Sequence, residues 1–397
     1  MRAHPIPSEI PGESPPAQRI AVIGSGISGL SAAWLLARRH AVTLFEADTR
    51  PGGHSHTVTV PSADGELPVD TGFIVFNEDT YPNLCALLRH LRVDTRATEM
   101  SFAVSLDGGA LEYAGTDLQG LFAQRGNLVS LRFWSMLRDL VRFYRQAPAE
   151  ASRHALMSLD DYLNLRGYGR AFRDDHLYPM AAAIWSTPAE QIGRYPVGAF
   201  VRFCENHHLL TLGRRPPWRT VQGGSRAYVQ RMLQSIGDGV RLGRGVQALH
   251  RDDLGVTVVD GSGATERFDQ VVVATHADTA LGLLATPTED ERRLLGAFRY
   301  TRNRTVLHQD PRLMPRRRAV WSSWNYLADR RAGDRLCVTY WMNRLQGLHS
   351  ERPWLVTLNP PEGSEPADIV LDQVYEHPLF DEAALRAQAD LWTLQGA

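Results

Sequence analysis

The chain contains no lysine, and all 43 basic residues among its 397 are arginine. A lysine Schiff base is therefore excluded, and with it pyridoxal-phosphate enzymes and lysine aldolases. The P-loop lysine is missing too, which excludes nucleotide hydrolysis of that kind. The 43 basic and 44 acidic residues leave a net charge of −1, which predicts no nucleic-acid partner.

Cysteine is scarce as well. Cys85, Cys204 and Cys337 are far apart and odd in number, so they predict neither a zinc ligand set nor a disulfide framework. This usage fits a reducing, cytoplasmic location. No apolar run reaches the roughly 18 residues of a membrane span. Residues 1–18 are rich in proline and lack an apolar core, so we expect a disordered leader rather than a signal peptide.

The first ordered segment carries a nucleotide-binding pattern. An apolar run at residues 20–23 predicts a buried parallel strand, and G-x-G-x-x-G follows at Gly24, Gly26 and Gly29. Residues 27–39 predict a helix, and residues 42–45 predict a second strand that ends at Glu46. A glycine-rich turn in some other α/β protein is the alternative, but a strand, glycines, a helix and an acid at this spacing favour dinucleotide binding.

Each residue type in this pattern has a chemical reason. Gly24 allows the tight turn, Gly26 lets the backbone approach a pyrophosphate, and Gly29 lets the helix pack close to the strand. The N-terminus of the helix then offers free N–H groups to the phosphates. Glu46 can accept hydrogen bonds from both ribose hydroxyls and would repel a 2′-phosphate, so NADP is disfavoured.

The residues after Glu46 distinguish a flavin from a nicotinamide. Arg50-Pro51-Gly52-Gly53-His54 supplies a second glycine pair, and Asp70-Thr71-Gly72 follows. These motifs resemble the R-x-G-G-R and D-x-G segments of the FAD-dependent family that includes amine oxidases, protoporphyrinogen oxidase and phytoene desaturases. Residues 218–225, 240–249 and 271–275 resemble its return to the FAD domain, its adenine-contacting strand and its A-T-G strand. The chain is also similar to a bacterial group of predicted NAD/FAD-binding proteins, some associated with modified fatty acyl chains.

The resemblance implies a fold, a cofactor and a set of binding residues. It implies an α/β fold in which a Rossmann-like FAD-binding domain of the glutathione-reductase type is interleaved with an α+β substrate domain. The FAD domain would use residues 19–76, 217–285 and 371–397, and the substrate domain residues 77–216 and 286–370. FAD would be noncovalent. The implied cofactor-binding residues are Gly24, Ser25, Gly26, Ser28, Gly29, Glu46, Ala47, Gly52, Gly53, His54, Gly72 and Val246.

Two residues depart from the family pattern. His54 replaces the second arginine of R-x-G-G-R, so the cationic contact to the pyrophosphate becomes weaker or pH-dependent. His276 replaces the glycine of A-T-G, which predicts a less permissive turn.

Residues 128–146 predict a helix with Phe133, Trp134 and Leu137 on one face and Arg138 and Arg142 on another. Such a helix can lie on an anionic membrane surface. The interpretation we favour is a substrate-domain helix with its apolar face in the core and its arginines in water.

Aromatic residues crowd two regions, around Ile184 and Trp185 and from Trp321 to Asn343. In this family they would floor an apolar substrate cavity, although core packing explains them equally well. No catalytic residue is named by the sequence, and His207, His208, Tyr326 and Tyr340 are candidates only. No metal site is expected, because the pairs His54/His56 and His207/His208 lack a third ligand.

The leading hypothesis is an FAD-dependent oxidoreductase that takes a hydride from an apolar small molecule, such as a fatty acyl or isoprenoid chain. An amine-oxidase-type flavoenzyme and a non-catalytic FAD-binding module are the alternatives. A typical amine oxidase is disfavoured, because members of that branch commonly place a lysine beside the flavin. Such a lipid substrate would suit a peripheral membrane contact.

The family ends with a strand and a helix under the flavin edge, whose N-terminus faces the flavin N1 and O2 atoms. Residues 375–397 show no such turn. We therefore expect a C-terminally shortened version that keeps the ADP half of the site, binds FAD weakly or partially and has low activity.

Overall fold

The structure is a computed structural model that describes residues 16–63, 65–185, 189–211, 217–330, 337–379 and 381–396. Most of the expected leader therefore lies outside the described residues. The strands are β1 (Arg19–Ile23), β2 (Ala41–Phe45), β3 (Thr57–Ser62), β4 (Gly65–Asp70), β5 (Phe76–Asn77), β6 (Thr95–Thr98), β7 (Phe102–Leu106), β8 (Leu111–Ala114), β9 (Trp218–Val221), β10 (Val240–Arg241), β11 (Val246–Asp252), β12 (Gly255–Asp260), β13 (Thr265–Phe268), β14 (Gln270–Val273), β15 (Tyr300–His308), β16 (Trp324–Ala328), β17 (Cys337–Trp341), β18 (Leu355–Leu358) and β19 (Leu371–Pro378).

Most of the helices fall between β8 and β9 or between β14 and β15 along the chain. The helices are α1 (Ile27–Leu36), α2 (Pro82–His90), α3 (Leu118–Leu121), α4 (Leu131–Glu150), α5 (Leu159–Leu165), α6 (Arg170–Phe172), α7 (Tyr178–Trp185), α8 (Ala189–Ile192), α9 (Val197–Asn206), α10 (Arg226–Ile236), α11 (Ala277–Leu283), α12 (Glu289–Leu295), α13 (Met342–Gln346) and α14 (Glu382–Asp390).

The nucleotide-binding pattern folds into a parallel sheet with strand order β10-β2-β1-β14. β1 lies in the middle and is apolar on both sides, because both faces of this sheet are covered. Val22 and Leu44 pack against α1 and α10, whereas Ala21, Ile23 and Phe45 pack against the three-stranded sheet of β11, β12 and β13. The predicted Rossmann-like architecture is confirmed.

The second part of the fold is built on a seven-stranded sheet with order β19-β15-β18-β17-β16-β7-β8. Its pairs are antiparallel except for β16 with β7. Helices α4, α5, α6, α7 and α9 enclose a separate core around Phe143, Tyr162 and Phe200. The expected α+β character of this part is therefore also confirmed.

Two sequence-based boundaries differ from the structure. The helix predicted over residues 27–39 ends at Leu36, because the next residues form tight turns. The strand predicted over residues 240–249 is two strands, since Gly243 has a positive φ of 65° and turns the chain between β10 and β11. Residues 371–397 are predicted to belong to the FAD domain, and β19 within them pairs with β15 from Leu371 to Pro378 in the seven-stranded sheet. The domain assignment stays a prediction.

Candidate active site

Two of the three motif glycines are required by the packing of the chain itself. Gly24 has a φ of +97°, and its N–H donates to the Phe45 carbonyl oxygen at 2.8 Å. A Cβ atom at Gly29 would lie 1.8 Å from the carbonyl oxygen of Gly24. Any side chain at Gly29 would therefore push α1 away from the turn after β1.

Gly26 is different, because none of the residues that the structure describes occupies the space beside it. Its φ of −60° and ψ of 175° are open to any residue, and no heavy atom lies within 4 Å of a Cβ built there. It caps the N-terminus of α1, where backbone N–H groups attract an anion. The chain therefore keeps an open, donor-rich space at Gly26 that fits a pyrophosphate.

Glu46 lies at the end of β2, beside this space. Its Oε2 accepts hydrogen bonds from the Ser25 N–H at 2.8 Å and the Ser25 hydroxyl at 2.5 Å, and its Oε1 accepts one from the Asp48 N–H at 2.9 Å. A carboxylate has about four lone-pair sites, so the chain occupies most of them. Binding of both ribose hydroxyls, as the sequence predicts, would require at least one of these contacts to be given up.

The remaining predicted residues of the nucleotide end cluster around Glu46. Ala47 is exposed, and its Cβ lies 3.0 Å from a Cβ built at Gly245, next to Val246 at the start of β11. The Arg244 N–H donates to the Glu46 carbonyl oxygen at 2.8 Å. Ser28 is exposed on the first turn of α1. Their contacts with a nucleotide stay predictions.

The second glycine pair is tied to the first. The Gly52 N–H donates to the Ser25 carbonyl oxygen at 3.1 Å, and a Cβ at Gly53 would lie 3.1 Å from the Gly26 Cα. A Cβ at Gly72 would lie 2.2 Å from the carbonyl oxygen of His54. The fold thus brings Gly26, Gly52, Gly53, His54 and Gly72 together, although they come from separate segments.

Asp70 links the loop at Gly72 to neighbouring elements through hydrogen bonds. It is buried and accepts hydrogen bonds from the Ser225 N–H at 2.9 Å, the Ser225 hydroxyl at 2.8 Å and the Thr57 hydroxyl at 2.6 Å. Burial raises the pKa of Asp70 to about 6, while these donors oppose the rise. The D-x-G segment therefore fastens the loop at Gly72 to the start of α10.

A cavity of about 660 Å³ opens beside these loops. Gly52, His54 and Gly72 lie at one wall, and strands β16, β17, β18 and β19 of the seven-stranded sheet form another. Ile184, Trp185 and Phe203 enter from α7 and α9. The cavity therefore lies between the nucleotide-binding loops and the second sheet, where a ligand could contact both.

The lining of the cavity carries no aspartate, glutamate or arginine among the described residues. Its titratable bases are three histidines. Burial lowers the pKa of His54 to about 4, with help from His377, His276 and Arg50, and burial also lowers the pKa of His207 and of His377. The cavity wall is consequently uncharged at neutral pH.

His54 belongs to a group of rings next to the glycine pair. Its ring centroid lies 4.7 Å from that of Tyr375, 5.7 Å from that of His377 and 6.3 Å from that of His276. The predicted pH-dependent cation at His54 is thus neutral at pH 7 in this environment. His276 has a φ of −59°, so the expected strain at its turn is absent.

Two lining residues on β19, Tyr375 and His377, were missed by the sequence analysis. They are two positions apart, so a strand presents both on one face. That alternation was a usable signal, but the partner of β19 is β15, about seventy residues earlier in the chain. Tyr375 is held by hydrogen bonds between its hydroxyl and both Thr71 Oγ1 at 3.0 Å and His56 Nδ1 at 3.2 Å.

The aromatic regions divide between cavity and core. Trp185, Trp324 and Tyr340 line the cavity, whereas Trp321 and Tyr326 are packed in the core. His207 also lines the cavity. Its ring stacks on Phe203 at 4.1 Å, with Nδ1 2.9 Å from the Phe203 carbonyl oxygen. His208 pairs with Asp79 instead, so of the four candidate bases only His207 and Tyr340 face the cavity.

Two further expectations concern a metal site and the C-terminal residues. In the described part of the chain, no set of three or more His, Cys, Asp or Glu side chains is placed to hold a metal ion. Helix α14 contacts α12, and no described residue after Pro378 lines the cavity. The expectation of weak FAD binding stays a prediction.

The apolar face of helix α4 packs as the favoured interpretation predicts, whereas Arg142, expected in water, is only partly exposed and lies over the Tyr168 ring. Phe133, Met136 and Phe143 are buried, and Arg138 is exposed. Trp134, expected on the apolar face, is instead half exposed, with its Nε1 donating to the Leu128 carbonyl oxygen at 2.9 Å. No helix in the described ranges is long and apolar enough to span a membrane.

Comparison with known protein families identifies a match that covers most of the chain. The model of the flavin containing amine oxidoreductase family matches residues 27–312. This range runs from the start of α1 into the seven-stranded sheet and so includes most of the loops described above.

Solved structures share the fold at low sequence identity. A putrescine oxidase bound to putrescine is 17% identical with a TM-score of 0.61, covering 94% of this chain and 90% of that one. Cyclohexylamine oxidase from Brevibacterium oxydans is 16% identical with a TM-score of 0.61, covering 91% and 85%. A CLA-producing fatty acid isomerase from P. acnes is 15% identical with a TM-score of 0.59, covering 91% and 86%.

Proposed function

The chain belongs to the flavin containing amine oxidoreductase family and is an FAD-dependent oxidoreductase, and we propose that it takes a hydride from an uncharged, apolar substrate such as a fatty acyl or isoprenoid chain. The observation that carries this proposal is the uncharged lining of the cavity.

An ion inside such a cavity would have no partner of opposite formal charge among the described lining residues. Moving a charge out of water is expensive unless an opposite charge or several hydrogen bonds receive it. The lining has no carboxylate to pair with an ammonium group and no arginine to pair with a carboxylate. Either ion would be disfavoured, whereas an alkyl chain gains about 0.8 kcal/mol for each CH₂ group that it buries.

The residues present fit FAD. The open space at Gly26, the N-terminus of α1 and the adjoining Gly53 would receive the pyrophosphate, and Glu46 with residues 244–246 would receive the adenosine end. His54 and Gly72 would adjoin the flavin half at the cavity wall. When bound, FAD supplies the hydride acceptor.

The chain itself supplies orientation and exclusion of water. Apolar side chains such as Ile74, Leu84 and Met100 line the cavity together with Trp324 and Tyr340. A substrate chain packed among them displaces water from the reacting end of the cavity.

The fold alone does not choose the substrate. The solved structures of similar fold include oxidases named for amines and an isomerase named for a fatty acid. An amine substrate is the alternative, and it is disfavoured here because no described residue of the lining offers a carboxylate to an ammonium group. The lysine that amine oxidases commonly place beside the flavin is also absent from the sequence.

A surface feature favours peripheral contact with a membrane. Leu118, Leu128, Val129, Leu131 and Trp134 are exposed around the start of α4, and exposed Arg125 and Arg138 flank them. We name these five apolar residues the α4 patch. Apolar side chains beside cations suit the boundary of an anionic bilayer, which would also supply an apolar substrate.

The substrate proposal is tested by anaerobic reduction of the FAD-loaded protein. A long-chain acyl ester, an isoprenoid and a primary amine of matched length are each mixed with it, and flavin absorbance near ~450 nm is followed. We expect bleaching by at least one neutral substrate and little by the amine at pH 7. Rapid bleaching by the amine, with none by the neutral compounds, would overturn the proposal.

A further inference from the structure

We propose that His377 is a hydrogen-bond donor of fixed direction, and that it binds the carbonyl oxygen of an otherwise apolar acyl substrate in the cavity. This inference rests on the proposed function, since it narrows the uncharged substrate to one that carries an acceptor oxygen. The inference is supported by a series of hydrogen-bonded side-chain amides that ends at His377.

A backbone N–H fixes the donor-to-acceptor direction of this series of hydrogen bonds at the end farthest from His377. The Arg304 N–H can only donate, and it donates to Asn359 Oδ1 at 3.0 Å. Because the oxygen of Asn359 is thereby located, its Nδ2 is the atom that donates to Asn303 Oδ1 at 2.8 Å. The amide orientation of Asn303 follows from that contact.

The contacts of the Asn303 amide nitrogen indicate the same orientation independently. Its Nδ2 lies 3.1 Å from the Thr301 carbonyl oxygen, which can only accept. The same Nδ2 lies 3.2 Å from His377 Nδ1. Asn303 is buried, so its amide has no solvent to exchange partners with. Because Nδ2 can only donate, Nδ1 of His377 is the acceptor in this contact, which Thr301 Oγ1 at 3.3 Å shares as a second acceptor beside the carbonyl.

An imidazole whose Nδ1 accepts must carry its proton on Nε2 when it is neutral. Burial and the neighbouring His276 lower the pKa of His377, so the neutral ring prevails at pH 7. The result is a single tautomer with an Nε2–H donor and no formal charge.

This donor belongs to a residue of the cavity wall and is unused by the protein. His377 lines the cavity, and no hydrogen bond of its Nε2 is formed with the described residues. Neighbouring hydroxyls differ in this respect, since Tyr375 bonds Thr71 and Tyr228 bonds Ser55. The structure thus keeps a preset donor in a wall that is otherwise largely apolar.

The cavity lining also contains His207, whose Nε2 can accept a hydrogen bond but not donate one. The Phe203 carbonyl oxygen can only accept, so Nδ1 of neutral His207 donates to it, and Nε2 keeps its lone pair. A carbonyl oxygen cannot bond to that lone pair. His377 rather than His207 is therefore suited to receive an ester, thioester, amide or ketone oxygen.

The tautomer is measured directly by nitrogen NMR of the ¹⁵N-histidine-labelled full chain at pH 7. His377 is assigned by the signal that disappears in His377→Phe, which retains a ring of similar size. We expect a neutral ring protonated at Nε2. A ring protonated at Nδ1, or at both nitrogens, overturns the proposal whatever the variants do.

The ligand role is measured with a long-chain methyl ketone and a terminal alkene of the same carbon skeleton. Leaving a buried carbonyl unpaired is unfavourable, so His377→Phe should weaken ketone binding on the order of tenfold relative to the alkene. His250→Phe, at an exposed histidine of β11 outside the lining, is the matched control and should leave that ratio unchanged.

The two proposals fail differently. An unchanged ketone-to-alkene ratio in His377→Phe contradicts the donor role of His377, even if both neutral ligands bind. Binding of a matched ammonium ligand in preference to both contradicts the uncharged-substrate proposal, while the NMR result for the tautomer stands by itself.

Discussion

Gly26 shows how a single residue can report on a ligand. Its backbone angles are ordinary and nothing fills the space beside it, so the apoprotein has no need for glycine there. We expect Gly26→Val to fold as stably as the parent and to lose FAD binding by at least about a hundredfold, because the side chain would occupy the pyrophosphate space. Equilibrium titration with FAD, followed by flavin fluorescence, measures the loss.

Two other glycines serve as controls for that variant. Gly126→Val also meets no atom within 4 Å and should leave FAD binding unchanged. Gly29→Val would meet the Gly24 carbonyl oxygen and should lower the thermal unfolding temperature instead. A Gly26→Val protein that binds FAD like the parent would remove Gly26 from the cofactor site.

Among the individual residues of the candidate site, the sequence predicted those that belong to a local motif. The motif glycines and Glu46 lie within one strand–helix–strand unit, so spacing alone could identify them. The engagement of Glu46 by Ser25 and Asp48 could not be foreseen, because it depends on side-chain directions. The roles of His54 and His377 depend on rings that come from opposite ends of the chain.

The α4 patch is the element-scale feature with the clearest consequence. Val129 and Leu131 are 85% and 87% exposed, so acidic substitutions there should not disturb packing. We expect the parent to cosediment with anionic lipid vesicles and Val129→Glu/Leu131→Glu to bind at least about tenfold less, since insertion of apolar side chains is lost and negative charge is added.

A matched surface position controls for this effect. Leu254 is also 85% exposed and lies in the turn between β11 and β12, outside the patch. Leu254→Glu should bind vesicles like the parent. Equal vesicle binding by the patch variant and the parent, or none by the parent, would count against a membrane role.

Elements were predicted well where the pattern was local and less well where the chain turned. The strands around Ile20 and Leu44 follow from short apolar runs before and after a helix. Gly243 divided a predicted strand because its positive φ serves a turn back toward Glu46. The pairing of β19 with β15 was not predicted, because pairing between distant strands leaves no local signal.

Neutral histidines of lowered pKa make the free energy of unfolding depend on pH. Desolvation lowers the pKa of His54, His56 and His308 from 6.5 to about 4, and of the three side chains only that of His308 is fully buried. Their contribution to stability is complete above pH 6.5 and is lost as pH falls toward 4, because the unfolded chain binds protons first. Asp70, with its pKa raised to about 6, acts in the opposite direction over the same window.

His308 is the clearest case. It lies in the seven-stranded sheet, where Nδ1 accepts from the Asp310 N–H at 3.1 Å and Nε2 lies 2.7 Å from Thr357 Oγ1. A pKa difference of about 2.5 corresponds to about 3 kcal/mol at most. We expect the unfolding free energy, measured by urea titration, to fall between pH 6.5 and 4 and to fall less in His308→Gln. A pH-independent free energy would contradict this.

The uncharged cavity is a property of the whole chain, since its wall gathers residues from Ile27 to Pro378. Composition showed only that lysine was absent. The exclusion of aspartate, glutamate and arginine from one wall depends on tertiary packing, and so the sequence could predict an apolar substrate only through family resemblance.

The most direct test is the pH dependence of ligand affinity in the FAD-loaded protein. A long-chain primary amine and a methyl ketone of equal length are titrated from pH 7 to 9, below the amine pKa of roughly 10. If only uncharged ligands enter, the amine should bind about tenfold more tightly for each pH unit, while the ketone affinity stays constant. An amine that binds at pH 7 as tightly as the ketone, with affinity independent of pH, would contradict the uncharged-substrate proposal.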